Sequence, residues 1–175
     1  MKNLRLNLAA VIFAACALLG GVFTTSVAHA GSLLDYAENK VVDSLLRAQA
    51  IGTPATWYIG LTTDTCTDTG NGTEPAGNAY ARVAVTASLA NWAGTQGAGT
   101  TVASSGTGGT TSNNNAITFI TSSGSWGTVQ AVRWYDASTA GNAWICINLS
   151  SPLSVSGTGF TVSFAAGQLT FQIDN

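Results

Sequence analysis

Asp64, Asp68, Asn71 and Glu74 fall within eleven consecutive residues. Oxygen donors spaced this closely are the type a calcium ion takes, because hard cations favour carboxylates and amide carbonyls. The spacing is not that of a helix–loop–helix calcium loop, and no aspartate-rich repeat accompanies it. Asp and Asn are also common turn formers, so the cluster reads as a solvated polar loop and no metal site is expected. Glycoside hydrolysis is the second chemistry open to acids, and it needs two carboxyl groups about 5 to 9.5 Å apart across a sugar. The acids gather in the N-terminal segment, in that loop and at the C-terminus, while Asp136 follows Trp134-Tyr135 as a turn aspartate would. No second acid has a sequence reason to face Asp136, so no catalytic residue is expected.

The first thirty residues narrow the chemistry further. Lys2 and Arg5 precede an apolar run from Leu8 to Val22, and Ala28-His29-Ala30 places small residues at both recognition positions of a signal peptidase. The pattern predicts a secretory leader cut after Ala30, with an uncleaved anchor as the alternative. The apolar run is short for a membrane span of about 20 residues. Cleavage would remove the single histidine, His29, and Cys16. Imidazole catalysis and histidine-ligated zinc would go with them.

Beyond residue 30 the basic residues are Lys40, Arg47, Arg82 and Arg133, against eight acids. So few cations cannot neutralise many phosphates, which argues against a nucleic-acid partner. Charged residues make up 8% of the chain, so there is little field to steer a charged substrate. No cofactor is expected. Cys66 and Cys146 remain. In an oxidising compartment they could form one disulfide closing a loop of about 80 residues. Two separate buried thiols are the other reading.

These residues need elements to position them. Leu33, Leu34, Ala37, Val41, Val42, Leu45 and Leu46 recur at helical spacing. Ser32 stands where an N-cap belongs, with Asp35 three positions on, and Gly52 and Pro54 follow as stop signals. A helix is predicted over Leu33–Ala50, its apolar stripe packing on its own sheet or on a neighbouring copy. From Pro54 onward the pattern is strands: Trp57–Leu61, Tyr80–Thr86, Ala116–Thr121, Gly127–Tyr135, Ala143–Leu149, Phe160–Phe164 and Leu169–Ile173. Short strands between Gly, Asn, Ser and Thr turns predict a mainly β fold, an antiparallel sandwich or jelly roll carrying one N-terminal helix. The expected layout is a leader over 1–30, the helical segment over 31–52 and the sandwich over 53–175. A Gly/Ser/Thr-rich loop at 94–115 reads as an arm that is flexible or ordered by a partner. Trp57, Tyr58, Trp92, Trp126, Trp134, Tyr135 and Trp144 lie mostly in strand patterns and read as core. Exposed, they would instead stack on sugar rings. Arg133, between Val132 and Trp134, is expected to pair with an acid or to lie on an exposed face or interface.

The chain resembles small tailed-phage virion proteins labelled tail fibre or structural protein, some relatives of which serve as capsid decoration or cement subunits. The likeness runs through Leu33-Leu34-Asp35-Tyr36-Ala37, Pro54-Ala55-Thr56-Trp57-Tyr58-Ile59-Gly60-Leu61-Thr62, Gly72-Thr73-Glu74 and Tyr80-Ala81-Arg82. It continues through Ser112-Asn113-Asn114-Asn115-Ala116, Trp126-Gly127-Thr128-Val129, Tyr135-Asp136-Ala137 and Phe164-Ala165-Ala166-Gly167. What the resemblance implies is a non-catalytic structural subunit that binds copies of itself and other virion or surface proteins. The leader adds the expectation of a secreted or surface location, or the virion if the gene is viral. A secreted glycan-binding module is the alternative.

Overall fold

The structure, a computed structural model, describes residues 22–24 and 28–173. Most of the expected leader, and Asp174, lie outside the described residues. The chain runs β1 (Val22–Thr24), β2 (Ala28–Leu33), α1 (Asp35–Arg47), β3 (Thr56–Thr62), β4 (Val83–Thr86) and β5 (Thr110–Ser112). It continues with β6 (Ile117–Thr118), β7 (Gly127–Tyr135), β8 (Ala143–Val155), β9 (Thr161–Phe164) and β10 (Leu169–Gln172). A seven-stranded sheet in the order β4-β3-β7-β8-β2-β10-β5 faces a three-stranded sheet in the order β1-β9-β6. Among the described residues the fold is mainly β with antiparallel sheets and a single short helix, as expected. Two pairings are parallel, β1 with β9 and β2 with β10. Among the described residues no helix is long and apolar enough to cross a membrane.

Alternation along the strands builds the core. Ile59, Leu61, Val132, Trp134 and Ile147 of the large sheet meet Ile117, Val162 and Phe164 of the small one, with Phe119 and Trp126 closing the layer. Trp126 donates its indole N–H to the Asn78 carbonyl at 2.9 Å, so its burial strands no polar group. The tryptophans act mainly as filling, since Trp126, Trp134 and Trp144 are all buried.

Several boundaries differ from the sequence reading. Ser32 is not a cap: it sits in β2 opposite Cys146, and Leu34 holds the N-cap position. The helix ends at Arg47 rather than Ala50, because Ala48 turns into the left-handed region at φ 54°. β4 starts at Val83, not Tyr80, since Asn78 and Ala79 at positive φ turn the chain first. β8 runs past Leu149 to Val155, taking Pro152 into an irregularity where its register against β7 shifts. The 94–115 loop is held by its own hydrogen bonds. Gly94 N–H donates to Thr100 Oγ1, Gln96 Nε2 to the Ala103 carbonyl, and Gly106 N–H to Thr95 Oγ1. Thr110–Ser112 within it form β5, which pairs with β10.

Candidate functional site: an exposed helix face over a braced sheet

Two features stand on the outer face of the large sheet, away from the sandwich core. The first is a polar cluster beneath the 62–78 loop. Cys66 and Cys146 form a disulfide, Cα–Cα 5.7 Å, that ties this loop to β8. Arg133 is 1% exposed. It donates to the Gly70 and Thr65 carbonyls at 2.9 and 3.1 Å and lies 3.5 Å from Asp64. Arg82 makes a two-pronged contact to Glu74, Nη2 to Oε2 at 2.6 Å, and donates to the Ala137 and Ala140 carbonyls. Its guanidinium also covers the ring of Tyr135. Tyr80 donates its hydroxyl to Glu74 Oε1 at 2.7 Å and accepts the Leu61 N–H.

The environment of these phenols keeps them protonated. Burial, with the Glu74 carboxylate close by, pushes the Tyr80 hydroxyl far above the ordinary phenol value. Burial does the same for Tyr135, helped by Glu74 and opposed by Arg82 and Arg133. At Asp136 partial burial pushes the carboxyl up. Hydrogen bonds from the Asn142 backbone and side chain and from Trp144 outweigh that and hold it below the ordinary value. Asp136 is therefore the clamp of the β7–β8 turn.

Of the oxygen donors that the sequence set apart, Asp64, Asn71 and Glu74 are thus engaged by the fold, while Asp68 is exposed, its backbone carbonyl accepting the Asp35 N–H. Asp64 accepts from Thr73 N–H, Glu74 binds Tyr80 and Arg82, and Asn71 spans Gly141, Ala143 and Tyr135. Among the described residues no three His, Cys, Asp or Glu converge as a metal site. Two glycines allow the cluster to form. A Cβ on Gly60 would come within 2.7 Å of both Glu74 Oε1 and the Tyr135 ring, and one on Gly72, at φ 71°, within 2.5 Å of the Arg133 guanidinium.

The second feature is α1. Leu34 and Ala37 are buried, Leu33 and Val41 half-buried, and Tyr36 packs edge-on against Trp144. The N-terminal half of the helix therefore docks on the chain's own sheet. Toward the helix end, Val42 is 50%, Leu45 76% and Leu46 82% exposed. The seven residues that share a stripe in sequence are divided between these two roles.

The sequence from residue 32 to 172 matches the family model described as podophage GP4 fiber I protein gp80. The chain belongs to this family. It is a family of phage virion structural proteins, and the fibre family's match begins just past the Ala30–Gly31 bond. No curated protein matches the chain. Within the fibre domain, Gly60, Glu74, Tyr80, Arg82 and Tyr135, scattered over four of the motifs, meet around one buried cluster. Those motifs brace the fold. For Arg133 the acid-paired reading is the one that holds, with Asp64 as the acid, whereas the convergence of Glu74, Tyr80 and Arg82 carried no signal in the sequence alone, because it forms only when the loop closes over them.

Proposed function

We propose that the protein is a non-catalytic, self-assembling structural subunit of phage type, a tail fibre or decoration-like component. It joins copies of itself and other virion or surface proteins through α1. The observation that carries this reading is the run of Val42, Leu45 and Leu46, an exposed apolar face on a helix anchored by its N-terminal half. A folded surface with so few charges has little else with which to hold a neighbour, and apolar burial at about 25 cal/mol per Å² supplies the attraction. Export behind the leader, with a surface or extracellular location, remains part of the proposal.

The test is to express the full chain, determine the N-terminus of the product by mass spectrometry and image it by electron microscopy. Regular rings or filaments support the assembly reading. A product that stays monomeric at every concentration overturns it, and an N-terminus at Met1 overturns export alone.

A glycan-binding reading rests on one observation. A cavity of about 310 Å³ between the start of α1 and the 62–78 loop is lined by Asp35, Tyr36, Asp68, Asn71 and Asn142. Carboxylates and amides beside an aromatic ring suit sugar hydroxyls. Since Tyr36 touches Trp144, bound sugar would alter tryptophan emission, and unchanged emission across a panel of neutral sugars would exclude this site.

A further inference from the structure

β2 is the N-terminal strand placed in the interior of the large sheet. It pairs antiparallel with β8, Ser32 opposite Cys146 and Leu33 opposite Ile145, and parallel with β10, Ala28 opposite Leu169 and Gly31 opposite Phe171. Without it, β8 and β10 would face each other across a gap of roughly 10 Å, two strand spacings. Both would then expose unpaired backbone groups. The sheet is complete only when this one segment is in place.

The segment is joined to the body downstream by residues 48–55, most of which are exposed. Within that stretch Gln49 bonds only to Asp43 and Arg47 of the helix. A hydrogen bond from Ala87 N–H to the Ala55 carbonyl ties the far end to the body. Ala48 is the strained point. It adopts φ 54°, ψ 30°, a conformation in which an alanine Cβ crowds the following carbonyl and which glycine normally fills at helix ends. Ala48-Gln49-Ala50 are strong helix formers, yet here they leave the helix. The chain therefore bends back against its local preference so that β2 can reach its own sheet.

In the alternative arrangement the helix continues through Ala48, the strain is released, and the segment reaches away from its own body. The seven residues that remain, 49–55, span about 24 Å when extended, enough to place β2 in a neighbour. Every β2 contact is kept, because the slot in each copy is identical, and β1, which precedes β2 and pairs with β9, moves with it. Exchange of an identical element is a low-cost route to oligomers, and insertion of a strand into a sheet gap is an established recognition mode.

We propose that β2 and α1 of one copy complete the seven-stranded sheet of the next, with residues 48–55 as the hinge. This deepens the self-assembly reading and rests on it. It also makes the Ala30–Gly31 bond part of the connecting strand, so cleavage there removes half of the element that joins copies.

The experiment is the full chain carrying Leu33→Cys and Ile145→Cys, oxidised at several concentrations and run on a non-reducing gel. Bonds between chains, giving dimers and longer ladders, are expected. Bonds confined within one chain overturn the exchange, and so does the absence of any bond. Light scattering on the same samples separates the two proposals. Oligomers with only internal bonds leave self-assembly standing, whereas monomers throughout remove both. Ala48→Gly, which relieves the strain in the closed form, should shift the equilibrium about fivefold toward monomer. An unchanged distribution counts against the hinge.

Discussion

Arg82 sits over the ring of Tyr135, its Cζ 3.4 Å from the ring centroid. The same guanidinium grips Glu74 from the far side of the loop. One side chain therefore joins the loop before β4, the end of β7 and the β7–β8 turn. Arg82→Ala would leave Glu74 without its cation in a site largely closed to water, at an expected cost of about 3 kcal/mol. Arg82→Lys keeps the charge but not the two-pronged geometry or the stacking, and should cost less but still measurably. Urea denaturation of both variants checks the order.

Alkaline pH should unfold the protein steeply. Tyr80 and Tyr135 both have folded-state values raised above the unfolded value of 10.0. Their contribution is thus complete below pH 10 and lost as pH rises above it, where the unfolded chain releases two protons that the folded chain retains. Two protons correspond to about 2.7 kcal/mol per pH unit. Urea midpoints between pH 9 and 11.5 should show this slope, and Tyr80→Phe should roughly halve it. Asp136 acts in the opposite sense: its lowered value gives stability above 3.8 that fades as pH falls below it.

The Cys66–Cys146 bond closes a separation of 80 residues. Chain entropy assigns such a link about 4 kcal/mol. Cys66→Ser with Cys146→Ser should lower the thermal midpoint markedly while leaving the far-UV dichroism of the folded state unchanged at low temperature.

Gly60→Ala should destabilise without touching any surface, because the added methyl would meet Glu74 and Tyr135 at 2.7 Å. A cost of about 1–3 kcal/mol is expected for overpacking of this kind. Near-UV dichroism, which reports the packing of Tyr135, should change along with it.

Leu45→Asp with Leu46→Asp changes two side chains that are 76% and 82% exposed. Stability should move by no more than about 0.5 kcal/mol per site, as for other surface substitutions. Assembly should be lost, since a charge cannot be buried in an apolar contact without a partner. Light scattering beside a melting curve separates the two effects.

The fold class was legible because strand alternation and turn residues are local signals. Gly127–Tyr135 emerges at its observed limits since its inward residues, Val129, Val132 and Trp134, all reach one core. β2 and β5 were not legible. Ala28–Leu33 is small and weakly patterned and reads as a cleavage site leading into a cap, while Thr110–Ser112 lies in glycine-rich sequence. Both become strands because long-range partners, β8 and β10, offer backbone groups that must be paired. The candidate site was half legible: helical spacing places Leu45 and Leu46 on a common stripe with Ala37, but only docking shows that Ala37 is buried and the leucines are not.

By itself the sequence determined the β architecture, the helix after residue 34, the scarcity of charge and the fibre-family motifs, all properties of residue type and short-range spacing. The tertiary structure alone decided what Arg82, Arg133, Glu74 and Tyr80 do. They are brought together when a loop folds back over β3 and β7 and is fixed there by a disulfide. Contacts between residues some 60 positions apart depend on strand register and loop closure, which no local pattern encodes.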